Sequence, residues 1–537
     1  PPPTRSLSAN YEGRKFTFSK KWFTIILTVF VFFLHIPLQT LIPAAGIDPS
    51  WQLGLKWADL KGLSFGSDIA FTFYGPLHFL VTTPINIGHY PSLLFETLLR
   101  CGIYFLVIFL FVSQFSNLIY KKPWKDFSAL DRILIVLGLS LLAFFPLQLS
   151  EAMLVLSCIL SVQLIFHIEL NKANRAKYGF NILLNAILLN LLCLMKFSYT
   201  IAAVVLITIT IGGLIYRKQG RFIAYIVPTF VCVGIFFWLL CGQPLSSLSD
   251  YYIYGFEISS GYTEAMQAIS NYYLYEIRYG IFSFCVLTFI GCFSLLFFFA
   301  KKDFYHAFLL FILLPVLFMA FKEGFVRADW MHSQWFFIQL IPIILFLILF
   351  FAENAHIAYC RILQAFTAFI IPITAAVVAS VEHPSYNNTI GNLLLPTSAL
   401  ITEYKHDIQD AYTPLPAAFL NQAKDKTVDI MPIDIALLWA YDLNWTPRPV
   451  FQSCSAYTPM LDSINAQHFK NDKAPDNIIY SYKSIDGRYP LFDEPAVFRT
   501  LLENYDVQTV DDYLILQHRL EKITRHYTPV NQGVCPD

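Results

Sequence analysis

The run that decides the fold reads QWFFIQLIPIILFLILFFA and extends from Gln334 to Ala352. It contains no Lys, Arg, Asp or Glu. A helix of about 20 apolar residues crosses a hydrocarbon core of roughly 30 Å, so this run predicts a membrane-spanning helix. Ten similar runs accompany it, and the eleven predicted spans are 22–42, 93–119, 133–149, 152–169, 180–196, 198–216, 222–241, 280–300, 304–321, 334–352 and 362–380.

The composition agrees with a polytopic α-helical membrane protein. The chain of 537 residues is 56% hydrophobic and 17% aromatic, and its mean hydropathy is +0.53. Ordinary soluble domains contain about 45–50% apolar residues. The 37 basic and 37 acidic residues cancel, so the chain lacks the bulk positive charge that attracts nucleic acid. We therefore expect membrane lipids as partners and no nucleic acid.

Lys and Arg predict the orientation, because short cytoplasmic loops carry an excess of them. Basic residues precede the first run, follow the second, and recur at 172–177, 217–221 and 301–302. If successive spans cross the membrane in opposite directions, all of these basic positions lie on the same side. We predict a multi-pass protein of the plasma (inner) membrane with a cytoplasmic N-terminus. The first run is longer than the usual core of about 7–15 residues in a signal peptide, so we interpret it as a retained anchor.

Two regions are predicted. The transmembrane domain covers 1–381, with outer-face loops at 43–92, 242–279 and 322–333. The region 382–537 loses the long apolar runs and is predicted to be a small extracytoplasmic α/β domain.

Alternating segments in this C-terminal domain predict its elements. Strands are expected at Thr427–Met431, Val450–Ser453 and Asn477–Ser481, and helices at Ile433–Asp442 and Ala496–Asn504. A disulfide between Cys454 and Cys535 is chemically permitted in an oxidising compartment.

The first outer loop contains an acid close to the end of the first span. After Asp48, the residues Trp51, Leu55 and Ala58 follow at the spacing of one helix face. Such a helix would lie along the membrane surface and hold Asp48 at the boundary. The alternative is that Asp48 only caps this helix, with Ser50 as a rival cap.

The pattern of this loop is an acid, a surface helix, a glycine, a polar turn and a Pro-Leu pair. Its members are Asp48, Ala58, Gly62, Asp68, Pro76 and Leu77. In this layout the chain resembles the GT-C superfamily of integral-membrane glycosyltransferases, in particular protein O-mannosyltransferases and lipid A aminoarabinose transferases. The resemblance implies a GT-C-like fold of about 11 transmembrane helices and a sugar taken from a lipid-linked donor on the outer face. Pro49 and Ser50 stand where those families often have a second acid, which puts metal binding by this motif in doubt.

Transfer from a polyprenyl-phosphate-linked sugar donor needs a base for the acceptor hydroxyl and cations for the phosphate leaving group. We assign Asp48 as the base, and a single displacement assisted by one carboxylate inverts the configuration of the sugar. The acceptor is a glycan, a lipid or a protein. We predict no cofactor for this transfer. The use of a divalent cation stays open.

Cations near the outer face are the candidates for binding the donor phosphate. Lys322, Arg327 and His332 lie in the third outer loop, with Asp329 orienting Arg327 or His332. Arg binds phosphate through a bidentate fork. Lys196 joins two spans at the outer boundary, and aminoarabinose transferases often have a Lys at a similar junction. The alternatives are a solvated loop and a lysine that reaches the lipid headgroups.

Further outer-face residues are candidates for binding or orienting substrate, because aromatic rings stack on sugars and carboxylates accept hydroxyl hydrogen bonds. They are Asp68, Tyr74, Glu151, Glu257, Tyr262, Glu264 and Asp329. The alternative for the tyrosines is that they lie at the membrane interface, where Tyr is enriched. The alternative for Glu151 is that it terminates a helix.

Two other functions stay open. A transporter or flippase of lipid-linked saccharide predicts charged groups and broken helices near the middle of the membrane. An envelope polysaccharide polymerase or ligase would not need the acid after the first span. The sequence favours an inverting membrane glycosyltransferase.

Overall fold

A computed structural model describes residues 19–71, 73–167, 175–266, 268–269, 273–328, 330–354, 358–380, 398–510, 512–521 and 523. The helices of this part of the chain are, in order, α1 Lys20–Leu34, α2 Ile47–Leu60, α3 Tyr90–Ile119, α4 Ala129–Phe144, α5 Leu149–Val162, α6 Arg175–Met195, α7 Ser198–Tyr216, α8 Ile223–Leu240, α9 Leu248–Met266, α10 Tyr273–Leu295, α11 Phe304–Phe311, α12 Leu314–Phe325, α13 Trp330–Asn354, α14 Ala358–Ala379, α15 Ser398–Ala411, α16 Ala417–Ala423, α17 Ile435–Ala440, α18 Pro459–His468 and α19 Pro495–Asn504. The strands are β1 Ala268–Ile269, β2 Arg327–Ala328, β3 Thr427–Met431, β4 Asn444–Trp445, β5 Asn477–Tyr480, β6 Tyr505–Val510 and β7 Leu514–His518.

The protein is a mostly helical, multi-pass membrane protein. Within the described residues, nine helices are long and apolar enough to cross a membrane. The other two predicted spans form α1 and α4, which have only 15 and 16 residues. At 1.5 Å per residue they are about 23 and 24 Å long, which is less than the hydrocarbon core. His35 Nε2 donates to the carbonyl oxygen of Ala143 at 2.9 Å, so these two helices end at the same level.

One apolar span is interrupted between α11 and α12. Pro315 lacks an N–H, and in a continuous helix its ring would clash with the carbonyl group of Phe311. The Cys158 thiol lies 3.5 Å from the Ile312 carbonyl oxygen and donates to it. Ile312 and Leu313 are fully buried, so the interruption lies within apolar packing.

The second predicted outer loop, 242–279, is largely helical, because it contains α9 and the start of α10. Tyr251, Gly255 and Ile258 are buried on one face of α9. The Tyr251 hydroxyl donates to the Cys193 carbonyl oxygen of α6 at 2.7 Å. A Cβ atom on Gly255 would lie 2.3 Å from the ring of Phe197, so only glycine lets α9 approach the junction of α6 and α7 this closely.

The described part of the C-terminal domain contains a five-stranded sheet of order β4-β3-β5-β7-β6. β3 runs parallel to β4 and β5, and β7 is antiparallel to β5 and β6. The strands predicted at Thr427–Met431 and Asn477–Ser481 are present as β3 and β5, and the two predicted helices are present as α17 and α19. Cys454 is buried, while Cys535 lies outside the described residues, so their disulfide stays a prediction.

The strand predicted at Val450–Ser453 is wrong. The side chain of Asn465 bonds both backbone groups of Val450, accepting from the N–H and donating to the carbonyl oxygen, each at 2.8 Å. A carboxamide therefore takes the place of a neighbouring strand. The residues that follow form a short 3₁₀ turn from Ser453 to Ser455.

The C-terminal domain packs on the start of α2 through α17 and through Tyr412, which follows α15. The Ser50 hydroxyl accepts from the Ala436 N–H at 3.4 Å, and the Tyr412 hydroxyl accepts from the Gly46 N–H at 2.9 Å. On the other side of α2, Lys56 is 1% exposed and forms an ion pair with Glu96 of α3. The helix is thus enclosed between the domain and the bundle, whereas we expected it to lie along the membrane surface.

Candidate functional site

The junction between α6 and α7 carries Lys196. The segment that follows Phe73 lies against this junction, with the Gly75 N–H donating to the Met195 carbonyl oxygen at 3.3 Å. A Cβ atom on Gly75 would lie 2.4 Å from the Leu194 carbonyl oxygen. The glycine therefore allows the contact that places Tyr74 in a backbone bridge with Lys196.

Lys196 forms an ion pair with Glu323 in the last turn of α12. The Nζ and Oε1 atoms are 2.6 Å apart, and the two side chains are 18% and 20% exposed. Gln339 Nε2 donates to the second Glu323 oxygen at 2.5 Å. Burial would lower the pKa of Lys196, but the charge and hydrogen bond of Glu323, together with Tyr74 and Tyr262, raise the pKa above its ordinary value. Lys196 therefore keeps its positive charge.

Sequence reasoning assigned no role to Glu323. The available signal was a carboxylate in the last turn of an otherwise apolar span, next to a glycine. A Cβ atom on Gly324 would lie 2.9 Å from the Phe336 Cβ, so this glycine allows close packing of α12 on α13.

Glu151 is fully buried in the first turn of α5. Its two oxygens accept from the Ser150 hydroxyl at 2.8 Å and from the Tyr199 hydroxyl at 2.9 Å. Tyr199 belongs to the first turn of α7, three residues after Lys196. Glu151 also interacts electrostatically with Glu323. It thus fixes α5 beside the ion pair.

Asp48 is connected to the segment beside Lys196 by a chain of contacts through two aromatic rings, Trp51 and Tyr74. Its Oδ1 accepts from Trp51 Nε1 at 2.9 Å, and the Trp51 ring stacks on Tyr74 with centroids 4.9 Å apart. Burial raises the pKa of Tyr74 to about 12; Lys196 opposes this shift, and the negative charges of Glu323 and Asp48 add to it. We call Asp48, Tyr74, Glu151, Lys196 and Glu323 the Lys196 cluster.

The capping interpretation of Asp48 is wrong. The N-cap of α2 is Gly46, which has no side chain, and Asp48 lies inside the first turn. The rival cap Ser50 accepts instead from Ala436 of the C-terminal domain. Asp48 is exposed, so its free carboxylate oxygen can reach a ligand.

Arg327 lies next to the cluster. Its strand β2 pairs in parallel with β1, which follows α9. Its guanidinium group lies 3.1 Å from Asp486 of the C-terminal domain. Burial and the negative charge of Glu323 raise the pKa of Tyr262, while the positive charges of Lys196 and Arg327 oppose this shift. Its ring packs edge-on against Phe73 at 4.6 Å.

The remaining predicted residues divide into two groups. Lys322 and His332 are half-buried at the facing ends of α12 and α13, while Glu257 and Glu264 lie on α9 near Tyr262. Asp329 lies outside the described residues.

Asp68 is not brought to the Lys196 cluster. It lies beyond the C-terminal end of α2, whereas Asp48 lies in the first turn of this helix, which is about 21 Å long. It forms an ion pair of 2.7 Å with Lys473 instead. Both side chains line a different cavity of about 700 Å³.

No group of three or more His, Cys, Asp or Glu side chains among the described residues is arranged to hold a metal ion. The Lys196 cluster and Arg327 instead combine a solvent-accessible carboxylate, two cations and aromatic walls. Such a set can accept a proton from a hydroxyl group and bind an anionic leaving group.

Comparisons of the chain with protein-family models, with curated proteins and with solved structures find no match.

Proposed function

We propose that the protein is an inverting glycosyltransferase of GT-C type, which moves a sugar from a polyprenyl-phosphate donor to an acceptor on the extracytoplasmic face of the plasma membrane. The observation that carries this proposal is the Lys196 cluster itself. Its side chains come from five separate segments of the chain and are linked by contacts through Trp51, Tyr74 and Tyr199.

The position of the cluster also suits ligand binding by the domain. Ligands of open sheets with parallel strands bind beyond the carboxyl ends of the strands. The helix α17, which follows β3, contacts Ser50 of α2 through Ala436, and the loop after β5 reaches Arg327 through Asp486. Contacts of both segments with the bundle therefore support a site near Asp48 and Arg327.

The proposed roles follow from charge and exposure. Asp48, which is exposed in the first turn of α2, takes the proton of the acceptor hydroxyl. Lys196 and Arg327 bind the donor phosphate, with Lys322 and His332 nearby. Glu323 and Asp486 hold the two cations in place, and a bound phosphate replaces part of these contacts with charge-assisted hydrogen bonds of its own.

The direct test uses the purified full chain in lipid nanodiscs with radiolabelled polyprenyl-phosphate sugars and saccharide, lipid and peptide acceptors. We expect time-dependent transfer of label to one acceptor class, with inversion at the anomeric carbon. Absence of transfer from every donor would contradict the proposal. Movement of intact donor across proteoliposomes without transfer would support the transporter alternative instead.

Replacing Arg327 by alanine is expected to weaken donor binding about 10–100-fold. A hydrogen bond to a charged group contributes about 1.5–3 kcal/mol, which corresponds to that range. The measurement is equilibrium binding of a radiolabelled polyprenyl-phosphate sugar without acceptor.

The matched control is Asp486→Asn. It removes the same ion pair of 3.1 Å but leaves the arginine in place. Donor affinity should therefore be retained in Asp486→Asn. If both variants lose affinity equally, Arg327 acts by docking the domain and not by binding phosphate.

A further inference from the structure

A second cavity, which we call the α9 cleft, opens between α9 and the C-terminal domain. Its volume is about 600 Å³, which is within the usual range of about 300–1,000 Å³ for small-molecule sites. Glu264 and Ala265 of α9 form one wall, and Arg488, Tyr489 and Phe492 belong to the other. Both regions of the protein are thus needed to form it.

Aromatic side chains at this cleft are unusually exposed. Phe492 is 80% exposed and Tyr489 is 52% exposed, and their ring centroids are 5.4 Å apart. Tyr482 is 56% exposed and packs edge-on against Tyr489 at 6.0 Å. Contiguous exposed apolar surface of this kind marks interaction sites.

Polar groups accompany the rings. The Arg488 guanidinium donates to the Ala265 carbonyl oxygen and is therefore fixed across the cleft. The Ser484 hydroxyl donates to Asp493 Oδ2 at 2.5 Å, which orients this carboxylate in the wall. Rings that cover the apolar face of a sugar, combined with fixed donors and acceptors for its hydroxyl groups, suit a saccharide.

The α9 cleft and the Lys196 cluster are both in contact with the C-terminal half of α9. Tyr262 contacts Phe73 beside Lys196, and Glu264 and Ala265 follow it within one helical turn. The Tyr457 hydroxyl, from the cleft wall, donates to the Ile258 carbonyl oxygen of the same helix at 2.6 Å. The cleft therefore lies on the same helix as the residue that contacts Phe73 beside Lys196.

We propose that the α9 cleft binds a saccharide chain, and that this chain is the acceptor. The name acceptor rests on the proposed function, whereas the binding of saccharide does not. Of the three acceptor classes, the exposed rings and the fixed polar groups of the cleft favour a glycan over a lipid or a peptide.

The test measures binding without donor, using the full chain in nanodiscs and three probes: α-linked manno-, β-linked gluco- and chito-tetrasaccharides. Saturation-transfer NMR and calorimetric titration report affinity. We expect millimolar or tighter binding of at least one probe. Phe492→Ala and Tyr489→Ala should weaken it about tenfold, because each removes a stacking ring.

Two control variants locate the effect. Val507→Ala changes an exposed apolar residue elsewhere in the domain and should leave binding unchanged. Tyr254→Ala removes an aromatic ring from the cavity that contains Asp68, and it should also have no effect.

The inference is overturned if no probe binds, if a Ser/Thr-rich peptide binds in the cleft instead, or if only Tyr254→Ala weakens binding. Saccharide binding that is sensitive to Phe492→Ala, in a protein that transfers no sugar, would retain this inference and remove the proposed function. Transfer of sugar to a lipid or peptide by a protein that binds no saccharide probe would retain the proposed function and remove this inference.

Discussion

Replacing Asp48 by asparagine is expected to slow sugar transfer about 10²–10⁴-fold, the usual contribution of a general base. This corresponds to about 3–5 kcal/mol of activation free energy. Asparagine keeps the size of the side chain and an oxygen that can accept from Trp51 Nε1, so the packing of Trp51 on Tyr74 should persist. The loss should therefore appear in kcat, with little change in donor affinity.

The matched control for this prediction is Asp59→Asn on the same helix. Asp59 accepts from His78 Nε2 at 2.8 Å, and asparagine can preserve this contact. The same chemical change, eleven residues away, should leave transfer within a few-fold of the wild type. Equal rates for wild type and Asp48→Asn would remove Asp48 from the role of base. If Glu323→Gln alone abolished transfer in the same assay, the base would have to be sought at Glu323.

Replacing Arg448 by methionine is expected to destabilise the C-terminal domain by about 3–5 kcal/mol, because it leaves buried carboxylates without a counter-charge. Arg448 is fully buried and lies 2.9 Å from Asp429 and 3.7 Å from Glu494. It also donates to the carbonyl oxygens of Ile430 and Pro432 at 3.0 and 3.2 Å. Most domains are stable by only about 5–15 kcal/mol, so the loss is large.

Thermal unfolding and limited proteolysis of the full chain in nanodiscs measure this effect, and cleavage should begin in the domain. Arg519→Met provides the comparison. Arg519 lies 2.7 Å from Asp506, but that carboxylate is 56% exposed. Exposed ion pairs contribute about 0–1 kcal/mol, so this variant should unfold near the wild-type temperature. Equal destabilisation by both substitutions would show that burial of the ion pair does not determine how much unfolding free energy is lost.

The membrane class was predictable because it depends on apolar runs within single segments of the chain. Apolar composition alone did not give helix length. The run 22–42 contains Pro37, and the run 133–149 contains Pro146, so both continue past the ends of their helices. Proline prevents helix continuation without making a segment polar.

The candidate site was predictable only in part. The location of Asp48 near a helix start followed from local spacing. Its proximity to Lys196 depends on Gly75 fitting against α6, which no local pattern shows. The pairing of Lys196 with Glu323 joins residues 127 positions apart. Asp68 was placed with Asp48 because both lie in one loop, but the length of α2 separates them.

The equal level at which α1 and α4 end has a consequence for the surrounding lipid. Both helices fall about 7 Å short of an average hydrocarbon core, and a bilayer adapts to short helices by local thinning. Acyl chains along this flank are therefore expected to shorten or tilt, so that the bilayer is thinner beside α1 and α4 than around the longer helices.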